Sequence, residues 1–171
     1  MAHDDPVPLT GGSLSYARGE DVAELLVLQR CCWVTEAILN DTLAIPALHE
    51  DSEIVRAWVE EKHVWAVRLG LRLVAAVRAH QDGDRSNIGR LMVAPDLRGA
   101  GLGRWLLHYA ESQAPASARH VDLFTGGRSE RNIQMYRAAG HKLTEPPGEK
   151  LGHHISGAVF LTKRRADALR V

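Results

Sequence analysis

The chain has 171 residues, of which 45% are hydrophobic and 25% charged, a composition typical of one folded domain and unlike that of a disordered protein. Its 21 basic and 21 acidic residues balance, so we expect no general attraction to nucleic acid or to an anionic membrane surface. The sequence shows neither a signal-peptide pattern nor an apolar run long enough to span a bilayer, which predicts a cytoplasmic protein.

The N-terminal part of the sequence divides into an arm and the start of the folded domain. Residues 1–15 are rich in Pro, Gly and Asp and have no apolar period, so they predict a flexible arm before a domain over residues 16–171. From Glu20 onward, apolar residues recur every three or four positions. This spacing predicts an amphipathic helix that ends near Asn40.

A second helix and three strands are expected next. Asp51 and Ser52 are suitable N-caps for a helix with apolar residues at helical spacing. The apolar period then shortens to two on both sides of Gly70, which predicts a β-hairpin. A polar turn over residues 81–87 is expected to separate this hairpin from a third strand over residues 88–93.

The second half of the chain alternates between helix and strand. The apolar spacing predicts a third helix over residues 102–110, a fourth strand over residues 121–124 and a further helix for which Ser129 is the candidate N-cap. Two final strands are expected over residues 141–144 and 157–162. This order of elements predicts a single α/β layer structure.

The segment with the most chemical information joins the third strand to the third helix. It runs over residues 91–104 and has the sequence LMVAPDLRGAGLGR. Its glycines allow the backbone to approach a ligand closely, and the first-turn N–H groups of the following helix form an anion site to which Arg98 and Arg104 add charge. The Gly-Lys-Ser/Thr ending of a Walker A loop is absent, as is a Rossmann frame. From its residues alone, the segment is compatible with two interpretations: a tight strand-to-helix connection, or a pyrophosphate site of another kind.

This segment resembles a known cofactor-binding motif. Arg98, Gly101 and Gly103, preceded by Val93 and Pro95, are similar to the acetyl-CoA-binding motif of the GNAT superfamily of N-acetyltransferases. The resemblance implies that acetyl-CoA is the co-substrate. It also implies that the main-chain N–H groups of the turn hold the pyrophosphate. The turn residues are Arg98, Gly99, Ala100, Gly101, Leu102, Gly103 and Arg104.

A second signature of the same superfamily follows about forty residues later. The run Asn132-x-x-x-Tyr136-x-x-x-Gly140-His141 resembles it, and the order of elements is similar over roughly residues 15–165. The resemblance implies that Asn132 hydrogen-bonds the thiol-end arm of the cofactor and that Tyr136 is the general acid for the departing thiolate. The implied fold is a single-domain, GNAT-like α/β fold, with a mixed, mostly antiparallel sheet, helices on both faces and splayed central strands.

The strand before the Gly-rich turn has a role that the resemblance also implies. Leu91 and Val93 would pair through their backbone with the pantetheine amides, and the N–H of Met92 or Val93 would serve the oxyanion. The general base is not identified, because residues 87–93 contain no acid. The candidates in the neighbouring segments are His80, Asp82, Asp84 and His120.

The expected function is direct acetyl transfer, in a ternary complex, from acetyl-CoA to a primary amine of a small molecule. Two alternatives stay open: acetylation of a protein N-terminus or lysine, and a regulatory domain that binds acyl-CoA without turnover. A homodimer is compatible with the resemblance. No metal is expected, because the adjacent Cys31 and Cys32 suit packing and the adjacent His153 and His154 lack accompanying ligands at a metal-site spacing.

Overall fold

Residues 6–147 and 157–165 are described by a computed structural model with helices around one β-sheet; His153 and His154 lie outside the described residues. The elements are, in chain order, β1 (Gly12–Tyr16), α1 (Val22–Asn40), α2 (Pro46–His49), α3 (Ser52–Glu61), β2 (His63–Leu69), β3 (Arg72–Asp82), β4 (Arg85–Val93), α4 (Leu102–Ser112), β5 (His120–Gly126), α5 (Glu130–Ala138), β6 (Lys142–Thr144) and β7 (Ala158–Arg164).

The sheet is mixed and mostly antiparallel, as the sequence predicts. Its strand order is β1-β2-β3-β4-β5-β7-β6, and the pair β4 and β5 is parallel while the other pairs are antiparallel. β4 and β5 pair only where residues 85–87 face residues 120–122. Beyond this short ladder the two described strands diverge, which confirms the splayed central strands.

Helices cover both faces of the sheet. Trp65 of β2 lies opposite Val77 in the β2–β3 ladder, and its ring contacts Tyr109 of α4 at 5.6 Å between centroids. Arg78 is the next residue of β3, so its side chain points to the opposite face, where Trp58 of α3 lies. Residues 73–77 are all buried, because neither face of β3 is open to solvent at this level. The predicted two-sided α/β arrangement is therefore confirmed.

Of the two expected helix caps Asp51 and Ser129, only Asp51 makes a capping hydrogen bond. The carboxylate of Asp51 accepts hydrogen bonds from the backbone N–H groups of Glu53 and Ile54 at 3.0 and 2.9 Å, so Asp51 caps α3 as predicted. The helix predicted after Ser129 is present as α5, but the hydroxyl of Ser129 makes no capping bond. It instead donates to the carboxylate of Glu36 on α1, because this long-range acceptor is within reach.

Two segments differ from the sequence-based expectation. Residues 12–15, predicted as part of a flexible arm, belong to β1, which is held by backbone pairing with β2 rather than by an apolar pattern of its own. Residues 81–87, predicted as a polar turn, mostly extend β3 and β4, and the ladder continues to the pair Asp82 and Arg85. The actual turn is at Gly83, with φ +59°. The sequence did not predict this extension because its residues are polar, and strand residues need not be apolar where they line a polar cleft.

Residues 6–147 and 157–165 contain no helix that is both long and apolar enough to cross a membrane.

Candidate active site

A cleft of about 1580 Å³ lies where β4 and β5 diverge. Its walls come from β4, the Gly-rich turn, β5, α5 and the C-terminal half of α1. The divergence of the two strands leaves this space between them. Their backbone N–H and C=O groups no longer form hydrogen bonds with each other there. Most of the residues predicted from the sequence for cofactor binding and catalysis line the cleft. They are Leu91, Val93, Arg98, Gly99, Gly101, Leu102, Gly103, Arg104, Asn132 and Tyr136.

Two predicted residues do not line the cleft. Met92 is 1% exposed and packs in the hydrophobic core, because its side chain points away from those of Leu91 and Val93. Ala100 is exposed at the outer side of the Gly-rich turn. For both residues, only a role of the backbone N–H is compatible with this placement, and that role stays a prediction.

The Gly-rich turn has the conformation that an anion cradle requires. Gly99 and Gly101 have φ values of +94° and +82°, which favour glycine. Gly101 is the N-cap of α4, and a Cβ built on it meets no atom within 4 Å. The first-turn residues of α4 also line the cleft, and N–H groups at this position have no partner within their own helix. The turn therefore offers open space and oriented donors, which fits a pyrophosphate.

Asn132 is held on the cleft wall by neighbours from two other elements. Its amide nitrogen donates to Glu36 of α1 at 3.1 Å and to Thr125 of β5 at 3.4 Å. Glu36 also accepts the hydroxyl of Ser129. Both bonds of Asn132 use its amide nitrogen, so its carbonyl oxygen can accept an N–H from a bound molecule. The cluster of Glu36, Ser129 and Asn132 fixes α5 against α1.

Tyr136 lines the cleft but is largely enclosed, with 7% of its surface exposed. Burial, together with the negative charge of Glu36, raises the pKa of Tyr136 well above its ordinary value. The phenol therefore keeps its proton at every pH at which the enzyme would work. This is the state that a proton donor to a thiolate needs.

His141 is a buried neighbour of Tyr136. Its ring lies 6.4 Å from that of Tyr136, and its Nε2 lies 3.6 Å from Glu111. Among the residues that the structure describes, neither ring nitrogen has a hydrogen-bond partner. Burial is the largest influence and, with a smaller contribution from Lys163, it outweighs the attraction of Glu111, so the pKa of His141 is lowered from 6.5.

The free energy of unfolding should depend on pH through His141. In the unfolded chain, His141 takes up a proton near pH 6.5. In the folded chain, it stays neutral until the pH falls to its lowered pKa. The stabilisation is therefore complete above about pH 6.5 and is lost as the pH falls to that lowered pKa, by at most about 1.4 kcal/mol per pH unit.

Urea unfolding between pH 5 and 7 measures this dependence. His141→Gln should flatten the slope in this window, because it removes the side chain whose pKa differs between the folded and unfolded chain. An equal slope in wild type and His141→Gln would contradict the assignment.

The candidate general bases are dispersed. His80 and Asp82 of β3 line the cleft, whereas Asp84 and His120 lie outside it with 3.7 Å between Asp84 Oδ2 and His120 Nδ1. Cys32 also lines the cleft, but its thiol donates to the carbonyl of Val93 at 3.3 Å. Within the described parts of the chain, no group of three or more His, Cys, Asp or Glu residues is arranged to hold a metal ion.

The sequence did not reveal the charged residues at the other end of the cleft. Arg78 and Arg90 line this part, and Arg90 forms a salt bridge with Glu50, which follows α2. Arg90 has φ +51° and lies where the β3–β4 register shifts. A positive φ at a non-glycine residue marks a β-bulge that no local sequence pattern announces. We call this part of the cleft the arginine end.

An opened parallel strand pair, a glycine-rich turn at a helix N-terminus and a largely enclosed tyrosine thus border one cleft. A family model described as the acetyltransferase (GNAT) family matches residues 25–141, and the chain belongs to this family. It is accordingly an acyltransferase that uses acetyl-CoA.

Known proteins support the same assignment. Peptidyl-lysine N-acetyltransferase YjaB from Escherichia coli strain K12 is 27% identical over 138 residues, which cover 77% of this chain and 83% of the relative. The fold is similar to that of PaiA N-acetyltransferase from Thermoplasma acidophilum in complex with coenzyme A, with a TM-score of 0.74, 12% identity and coverage of 90% and 99% of the two chains. YncA from Salmonella typhimurium with its cofactor acetyl-CoA has a TM-score of 0.68, 19% identity and coverage of 90% and 93%.

Proposed function

We propose that the protein acetylates the primary amine of a small molecule by direct attack of the amine on acetyl-CoA in a ternary complex. The observation that carries this proposal is the position of the charged groups at the arginine end. The side chains of Arg90 and Glu50 are only 17% and 14% exposed, and Arg78 has a buried Nε. Arg78 and Arg90 line the cleft, and charged groups in a cleft wall suit a small acceptor that is held inside it.

The state of Cys32 supports direct attack. A route through an acyl-enzyme would need a nucleophilic thiolate in the cleft. Burial raises the pKa of the Cys32 thiol, although the hydrogen bond to Val93 and the charge of Arg98 oppose this effect. The thiol therefore stays protonated, and the amine itself is the nucleophile that attacks the acetyl carbonyl.

The residues around the divergence of β4 and β5 divide the remaining tasks. The N–H groups from Arg98 to Arg104 hold the pyrophosphate, and the backbone of Leu91 and Val93 pairs with the pantetheine arm. The carbonyl oxygen of Asn132 accepts from that arm, while Tyr136 gives its proton to the departing thiolate. The amine loses a proton to solvent as the amide forms, and Tyr136 takes one back from solvent. A backbone N–H of Met92 or Val93 stabilises the charge that develops on the carbonyl oxygen.

Release of the CoA thiol, followed with a thiol-reactive dye across a panel of amines, tests this function. The panel contains small primary amines and lysine-containing peptides at equal concentration, and mass spectrometry identifies each acetylated product. We expect turnover with members of the small-amine group and little with the peptides. Turnover confined to peptides would overturn the small-molecule proposal.

Peptidyl-lysine acetylation is the second candidate, and the relative from Escherichia coli that bears this activity in its name favours it. The two candidates differ in acceptor but share the cofactor site. Binding of acetyl-CoA without thiol release from any acceptor would instead indicate the regulatory alternative. Cytoplasmic location and a homodimer stay predictions from the sequence.

A further inference from the structure

Arg78 is a partly buried cation that faces the cleft from β3. Its guanidinium carbon lies 5.4 Å from the centroid of the Trp58 ring, and its Nε is buried without a hydrogen-bond partner. Among residues 6–147 and 157–165, no carboxylate lies within salt-bridge distance of Arg78. A buried charge without a partner is costly, so such a group is usually completed by a ligand or kept for a function.

The neighbouring charges compensate Arg78 only in part, because the charge of Glu50 favours the charged guanidinium while that of Arg90 opposes it. The carboxylate of Glu50 is engaged by Arg90 and by Gln29, the latter at 2.8 Å, so one anion serves two guanidinium groups. Burial opposes ionisation of Glu50, but the charge and hydrogen bond of Arg90 outweigh it and lower the pKa of Glu50. Arg90 is itself packed on Trp33, with 5.4 Å to the ring centroid. Among the residues that the structure describes, Arg78 and Arg90 therefore share the single carboxylate of Glu50 at the arginine end.

The pKa values of the basic groups agree with this arrangement. Burial, and then repulsion by Arg90, lowers the pKa of Arg78 to about 10, so the side chain is still charged at neutral pH. Burial and the same two arginines also lower the pKa of Lys62, which follows α3. His80 and Asp82 face the cleft from the same strand as Arg78. Asp82 is four residues away, about 13 Å along an extended strand, which is too far for a direct salt bridge.

The backbone opposite Arg78 leaves its guanidinium accessible. Arg78 is paired with Gly89 across the β3–β4 ladder, and a Cβ on Gly89 would lie 3.6 Å from Arg78 Nη2. Because Gly89 has no side chain, this side of the guanidinium is open towards the cleft. The described residues accept no hydrogen bond from Arg78, and a planar guanidinium with available donors is suited to bind a carboxylate through two parallel hydrogen bonds.

We propose that the acceptor amine carries a carboxylate, as an amino acid does, and that Arg78 binds this carboxylate with Arg90 beside it. The inference rests on the proposed small-molecule function and specifies its substrate class. The carboxylate supplies a second anion at the arginine end, and it orients the amine within the cleft. A polyamine is disfavoured, because its second ammonium would be repelled by the same guanidinium groups.

Matched pairs of acceptors test the proposal. Each pair consists of an amino acid and its amide, or of an ω-amino acid and the alkylamine of the same length, and kcat and KM are measured by thiol release with saturating acetyl-CoA. We expect the acid to exceed its partner in kcat/KM by about tenfold or more, the value of one charge-assisted hydrogen bond. At a given pH, a larger fraction of the amino acid amide than of the amino acid has a neutral, nucleophilic amine. This difference favours the amide, so it works against the expected result.

Variants at Arg78 test whether this residue causes the preference for acids. Arg78→Met should raise the KM for the acid by about tenfold to a hundredfold and abolish the preference within each pair, with the KM for acetyl-CoA unchanged. Arg78→Lys, which keeps the charge, should restore part of the preference. Arg56→Met, at an exposed position of α3, is the matched control and should behave as wild type.

Each outcome of these measurements either supports or overturns the carboxylate inference. Equal kcat/KM for acids and their partners in wild type overturns the carboxylate inference and leaves the small-molecule function intact, even if Arg78→Met fails to fold. Turnover only with lysine peptides overturns both. If no acceptor of the panel is acetylated, thermal shifts of the CoA-saturated protein decide: stabilisation by acids but not by amides supports the inference, and equal shifts overturn it.

Discussion

Replacing Tyr136 by Phe is expected to lower kcat by about a hundredfold or more and to leave the affinity for acetyl-CoA nearly unchanged. The substitution removes only the hydroxyl, so the ring still fills a pocket in which Tyr136 is 7% exposed. Without this hydroxyl, the thiolate must leave unprotonated or take a proton from water.

Single-turnover measurements with a substrate that the wild type accepts test this expectation, because they isolate the chemical step from product release. Tyr109→Phe is the matched control, since Tyr109 lies on α4 in an aromatic cluster with Trp65 and Trp105. It should leave the rate unchanged. If Tyr136→Phe is within about threefold of wild type, then water or another group protonates the thiolate.

The sequence predicted those parts of the site that depend on local backbone chemistry. Glycine is needed at Gly101 because of its positive φ, and a helix N-terminus follows directly, so the anion cradle could be found in a short segment. Asn132 and Tyr136 could be found because they resemble a family signature whose residues lie on one helix, α5. The amphipathic period likewise located α3 and α4.

Contacts between distant parts of the chain could not be found in this way. Ser129 suited an N-cap by its type, but Glu36, 93 residues earlier, takes its hydroxyl. The pairing of β1 with β2 depends on backbone hydrogen bonds across about fifty residues and leaves no apolar pattern in β1. The arginine end was missed for the same reason, since Arg78, Arg90 and Glu50 meet only after folding.

Replacing Gly101 by Val is expected to weaken acetyl-CoA binding by more than about a hundredfold, because two or more charge-assisted hydrogen bonds to the pyrophosphate would be lost. Gly101 lines the cleft, and its Cβ would extend into space that no protein atom occupies within 4 Å. That space is where the first-turn N–H groups of α4 would meet the phosphate oxygens. The side chain of Val would fill it.

A strained backbone could also weaken binding, and Gly83→Val separates the two causes. Gly83 has φ +59° in the β3–β4 turn and, like Gly101, has no atom within 4 Å of its Cβ, but it does not line the cleft. Both variants should lose roughly 1–3 kcal/mol of unfolding free energy through a left-handed Val. Calorimetry should show wild-type affinity for Gly83→Val and little binding for Gly101→Val. Wild-type affinity in a folded Gly101→Val protein would mean that the pyrophosphate is bound elsewhere.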